Sequence, residues 1–218
     1  MNIQPYIIND ITMPDVTSNI RDVQDIFSQL TYSHIPIQND GVYIGSISEN
    51  DIRSFDPEKQ IEEYQYALEG FFARDYDTWL DVLHAFAKNE TNILPVLDEE
   101  NNYLGYVELH DIMNIFTEAP FLNNPGSILT VEKGSKDYSF SEISQIVESN
   151  GAHLLGAFVS GVSNDLAQIT LKIGPSPLNT ILQSFRRYGY KVASSHEEDS
   201  FSTNLRDRSR YLDKYLNI

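Results

Sequence analysis

The sequence predicts an α+β protein: a tandem pair of one small α/β unit, followed by a domain of βαββαβ order and a C-terminal helix. Two observations carry this. The stretches GSISENDI (45–52) and GYVELHDI (105–112) repeat with Gly45/Gly105, Ile47/Val107, Asp51/Asp111 and Ile52/Ile112 in step at a spacing of about 60 residues, the mark of a duplicated unit. Beyond EAPFLNNPGS (118–127), with its two prolines, paired asparagines and glycine, the order of apolar segments changes, which marks a domain boundary.

The elements follow in order. In TSNIRDVQDIFSQL, the residues Ile20, Val23, Ile26, Phe27 and Leu30 fall at helical spacing behind Thr17 or Ser18 as N-cap. HIPI (34–37) and GVYIGSI (41–47) read as short strands joined at QNDG, with a second helix starting around Ser48 to Asp51. PEKQIEEYQYALEG then reads as a helical connector. The second copy repeats the order: a helix marked by Trp79, Leu80, Leu83, Phe86 and Ala87, strands ILPV (93–96) and YLGYV (103–107), and a turn DEENN one residue longer than its counterpart. The units are 1–58 and 59–120, the latter including the connector.

From 126 to 200 the segments SILTVE, SFSEISQIVESN, AHLLGAFVSG, LAQITLKI, LNTILQSFRRYG and KVASSH spell strand, helix, two strands, helix and strand, the ferredoxin-like order. Ile143, Ile146 and Val147 form the apolar stripe of the first of these helices. At 203–218 the residues Leu205, Leu212, Leu216, Tyr211 and Tyr215 predict an amphipathic helix.

Composition narrows the function. The chain of 218 residues is 41% hydrophobic and 11% aromatic, and carries a net charge of -17. Such a field repels nucleic acid phosphates and anionic membrane surfaces, so neither is an expected partner. There is no apolar run near the ~18 residues of a membrane helix and no signal-peptide pattern, which predicts a cytoplasmic protein. The absence of cysteine excludes disulfides and thiolate metal sites.

The duplicated unit, with its apolar-Pro-apolar strand, turn, G-h-h-S-x-x-D motif and following helix, resembles the CBS domain, which occurs as tandem pairs (Bateman modules). The later region resembles an ACT-type domain. Together they are similar to acetoin-utilisation regulatory proteins and to CBS-domain proteins of Bacteroidetes, on stretches such as SHIPI, SISENDI, DYSFSEISQIVESN and RYLDKYLNI. The resemblance implies that an adenosyl ligand lies between the repeats. Asp51 and Asp111 would then accept from ribose hydroxyls, Ser48 would meet phosphate, and backbone around Ile35 and Leu94 would meet the adenine edge. A carboxylate can accept from both hydroxyls of a cis-diol, and helix N–H groups favour an anion.

Departures from the pattern shape the expected ligand. Glu108 stands at the second hydroxyl position, and His110 is the only cationic candidate inside either motif. A ligand with little or no negative charge, such as adenosine or an S-adenosyl compound, is therefore expected over ATP, with AMP the remaining adenosyl candidate. Ser48 and Asp51 also suit simple helix capping. His34 and His153 read as packing or strand-edge residues. In the ACT-like region EKGSKDYSF lacks the D-x-P-G-like turn of amino-acid-binding members, so a dimerisation or packing role is expected there. SHEEDS (195–200) gathers an imidazole and three carboxylates but reads as an exposed acidic loop.

No phosphate loop, G-x-S-x-G elbow or H-E-x-x-H motif occurs. The expected protein is a non-catalytic sensor acting through a homodimer on a regulated protein, with the helix faces at Trp79 and Phe86 as candidate contacts. The alternative is a ligand-free dimerisation scaffold with vestigial pockets. No cofactor is required beyond the possible adenine nucleotide or S-adenosyl ligand.

Overall fold

The computed structural model describes residues 3–193. The predicted C-terminal helix (203–218), the acidic loop SHEEDS and the end of KVASSH from residue 194 lie outside the described residues. The chain forms two compact units, dividing between Thr117 and Glu118.

The first copy begins with α1 (Ile20–Gln29), whose Ile20, Val23 and Phe27 are buried. Its N-cap is Asn19, not Thr17 or Ser18, and makes no side-chain capping bond. The Thr17 hydroxyl is instead drawn to the Asp15 carboxylate at 2.8 Å, a local turn that competes with capping. Strands β1 (His34–Asn39) and β2 (Val42–Ser48) pair antiparallel around the two-residue turn Asp40-Gly41, where both residues have positive φ, as a tight hairpin requires. Helix α2 (Glu49–Ile52) is a single turn starting behind Ser48. The connector is a 3-10 segment, Ile61–Ala67, broken at Tyr64, rather than an α-helix.

The second copy adds β3 (Ala73–Arg74), parallel to β4 (Ile93–Leu97), which pairs antiparallel with β5 (Tyr103–Glu108). Helix α3 (Trp79–Asn89) opens with a capping box between Thr78 and Asp81, and α4 (Leu109–Glu118) follows β5. The inward face of α3 is Val82 and Phe86 with Trp79 and Leu83 beside them; Leu80 points out at 57% exposure. Val82 takes the place predicted for Leu80 because a helix places residues 79, 82, 83 and 86 on one side. Phe86 is buried in the core of its own copy, and Trp79, partly buried, packs on Phe116.

The lead-in segments of the two copies are exchanged. Ile8 bridges Tyr106 of the second copy, and Glu69, ahead of the second copy, bridges Ser46 of the first. Ile3 sits in the core with Phe86, Leu94 and Val107, whereas Ile61 sits in the core with Ile20, Ile35 and Ile47. Boundaries at 58 and 59 therefore divide the sequence but not the packing. The motif glycines permit the exchange. A Cβ on Gly105 would stand 2.3 Å from the Ile8 carbonyl oxygen, and one on Gly45 3.0 Å from Leu68 Cβ, and both glycines hold a positive φ.

The second unit has the order α5 (Pro120–Asn123), β6 (Ser127–Gly134), α6 (Phe140–Ser149), β7 (Leu154–Ser163), β8 (Leu166–Ile173), α7 (Leu178–Arg187) and β9 (Lys191–Val192). From β6 on this is strand, helix, two strands, helix, strand, in a four-stranded sheet ordered β7-β8-β6-β9 with antiparallel neighbours. Ile143, Ile146 and Val147 of α6 and Ile181, Leu182 and Phe185 of α7 bury against Leu129, Val131, Ile169 and Leu171. The segment predicted as a boundary is partly built into this unit: Phe121 meets the Phe158 ring at 5.9 Å and lies over Gly156, where a Cβ would come within 2.3 Å of it.

Candidate functional site

Ser48 ends β2 and caps α2. Its Oγ accepts from the Asp51 N–H at 3.1 Å and donates to Asp51 Oδ2 at 2.7 Å, so the two motif residues satisfy one another. Ser48, Glu49 and Asn50 form one wall of a cleft of about 430 Å³. Ser33 and His34 line it from the start of β1, Glu69 from the exchanged lead-in, and Lys88, Asn89 and Glu90 from the end of α3. Both copies thus contribute to the same cleft.

His34 is buried and held at three points. Nδ1 lies 2.9 Å from Ser33 Oγ, Nε2 lies 3.2 Å from Glu69 Oε1, and the ring meets Phe71 edge-on at 5.2 Å. The packing role predicted for it is what the contacts describe, with one edge turned to the cleft. Three carboxylates, Glu49, Glu69 and Glu90, face a single lysine, Lys88, around this space. Glu69 reaches His34, and Glu49 pairs with Arg53.

A second cleft of about 500 Å³ shares Ser33 and Glu90 and is more apolar, lined by Leu83, Phe86, Ala87 and Leu109 with Thr91 and Asn92. At the junction the copies are tied by reciprocal bonds. Ser33 N donates to Asn92 Oδ1 at 2.8 Å, Asn92 N donates to Ser33 Oγ at 3.0 Å, and Asn92 Nδ2 donates to the Thr31 carbonyl at 2.8 Å.

The predicted residues divide accordingly. Ser48 lines the cleft; Asp51, half-buried, does not line it but holds Ser48. The Ile35 and Leu94 side chains are fully buried core, paired across their hairpins with Ile47 and Val107. The cleft opens one or two residues earlier in the chain, at Ser33 and His34. Asp111 is half-buried and His110 exposed, and neither lines the two clefts.

Around the second motif the side chains are engaged with each other. Tyr32 Oη donates to Glu108 Oε1 at 2.5 Å and lies 3.2 Å from Tyr106 Oη, and the Tyr106 hydroxyl donates to Asp10. Burial, with the Glu108 carboxylate beside it, pushes the Tyr32 phenol up to about 12, and burial with Asp10 pushes Tyr106 upward as well. Glu108 is therefore turned onto a tyrosine. Sequence reasoning missed Tyr32, Ser33, Lys88 and Asn92. Only the alignment of Ser33 with Asn92, just ahead of each apolar-Pro-apolar strand, could have pointed to the junction pair.

A mixed α+β chain with a duplicated strand-pair unit and a polar cleft between its copies is the class that these features define. Residues 71–118 match the family model of the CBS domain, covering β3 to α4. No curated protein matches the chain significantly. Among solved structures, it is similar to a CBS domain pair/ACT domain protein from Thermotoga maritima, with 22% identity, a TM-score of 0.49, and coverage of 55% of this chain and 98% of that one. It is also similar to the CBS domains of a transcriptional regulator from Streptococcus pneumoniae (17%, TM-score 0.47, 52% and 98%). A third likeness is to CBSX2 in complex with AMP (13%, TM-score 0.44, 54% and 96%). Among the described residues no helix is long and apolar enough to cross a membrane.

Proposed function

We propose that residues 1–117 are a CBS-domain pair serving as a non-catalytic regulatory module, which takes an adenosyl ligand in the cleft at Ser48. The observation that carries this reading is the cleft itself: about 430 Å³, bounded by Ser48 to Asn50 of one copy and Lys88 to Glu90 of the other. A ligand touching both copies interacts differently with different arrangements of the pair, and that difference is the physical requirement for signalling. Three carboxylates against one lysine favour adenosine, AMP or an S-adenosyl compound over ATP. In this reading Ser48 meets the ligand, and Asp51 holds the Ser48 hydroxyl in place behind it. The protein acts in the cytoplasm as a homodimer on a regulated protein, with an ACT-type second unit serving packing or dimerisation.

A second reading, a scaffold without a ligand, is favoured by one observation: Ser48 and Asp51 already satisfy each other as a helix cap. Calorimetric titration of the full chain with AMP, ATP, adenosine and S-adenosylmethionine separates the two. The sensor reading expects micromolar binding, weaker for ATP, and at least tenfold weaker in Asp51→Ala. No heat with any of the four compounds would leave the scaffold.

A further inference from the structure

We propose that the second motif is a site held shut by the chain's own side chains, with the Tyr32 hydroxyl latched onto Glu108, so that each chain takes one ligand. This rests on the ligand reading above and extends it to stoichiometry.

The internal repeat supplies the comparison. Ser48 and Glu108 occupy the same place at the end of the second strand, and Thr91 and Tyr32 the same place just ahead of the first strand of the opposite copy. In the open arrangement the small Thr91 turns its hydroxyl inward, donating to the Ile93 carbonyl at 2.7 Å and meeting Ser33 Oγ at 3.1 Å. Ser48 itself lines the open cleft. At the second motif both residues are larger and bonded to each other at 2.5 Å. Tyr106, fully buried, packs its ring edge-on against Tyr32 at 5.7 Å and donates its own hydroxyl to Asp10.

Each phenol thus donates its hydroxyl to a carboxylate. A phenol donating to a carboxylate is the strong, charge-assisted kind of hydrogen bond. A ligand entering at Asp111 would have to break the Tyr32 bond and bring its polar groups against a carboxylate where the first copy offers a hydroxyl. The Asp111 carboxylate, which has no side-chain hydrogen bond or ion pair among the described residues, remains available once the latch is gone.

Calorimetry on the full chain with adenosine and AMP tests this. The parent is expected to bind one ligand per chain. The double variant Tyr32→Thr/Glu108→Ser, which installs the first-copy residues at both positions, is expected to gain a second event at least tenfold tighter than any residual binding there. Asp111→Ala added to it should remove that event. Tyr32→Phe, which removes only the hydroxyl, serves with adenosine if the double variant does not fold. Two ligands per chain in the parent, or one in a folded double variant, would overturn the latch. A silent parent with a double variant that binds through Asp111 would remove the Ser48 site yet support the latch. Silence in both would remove both readings.

Discussion

Gly105 shows how much a single residue carries. Its φ of 145° lies where side chains are rarely tolerated, and any Cβ there meets the Ile8 carbonyl at 2.3 Å. The two effects act together, since the strain of such a backbone is of order 1–3 kcal/mol and the clash is with backbone that cannot rotate away. Gly105→Ala is expected to lose about 2 kcal/mol or more in denaturant unfolding. Gly70→Ala, where a Cβ meets nothing within 4 Å and φ is ordinary, should stay within about 0.5 kcal/mol of the parent. Equal losses in both would mean that the close approach of the lead-in segment is unimportant. The glycine was legible as a repeated residue. The partner that makes it necessary was not, because it stands almost a hundred positions away in the chain.

At the level of elements, the exchanged lead-in segments decide what counts as a folding unit. Ile3 is fully buried in the core of the second copy, although it begins the first. Truncating it leaves a cavity, and Ile3→Ala is expected to cost about 2–5 kcal/mol, read from the denaturation midpoint. Ile128→Ala, at 61% exposure on β6, should be nearly neutral. A neutral Ile3→Ala would contradict the exchange. Local patterning predicted the helices well where an apolar stripe is clear, as in α6, where the structure adds an N-cap, Ser139, that accepts from the Glu142 N–H. It failed where side chains had competing partners. Thr17 went to Asp15, and Leu80 lost its place to Val82.

For the whole molecule, the titration of buried phenols sets an alkaline limit. Burial raises Tyr32, Tyr43 and Tyr190 to about 12, against about 10 for the free side chain. The folded state therefore keeps protons that the unfolded state releases. That contribution is fully present below about pH 10 and is lost as pH rises through 12. Thermal unfolding should show a melting temperature that falls steeply between pH 10 and 12, and Tyr32→Phe should soften the fall. A flat profile to pH 12 would contradict the buried network. The net charge of -17 adds self-repulsion that grows with each phenolate.

The duplication, the strand pairs, the change of pattern after residue 118 and the anionic surface were determined by the sequence alone, because each depends on residue type at short spacing or on a simple sum. The tertiary structure decided the rest. It set Ser33, Lys88 and Glu90 beside Ser48, buried Ile35 and Leu94, joined Tyr32 to Glu108, and packed Ile3 into the second copy's core. Those outcomes depend on which distant segments share a volume, and periodicity within a segment carries no record of that.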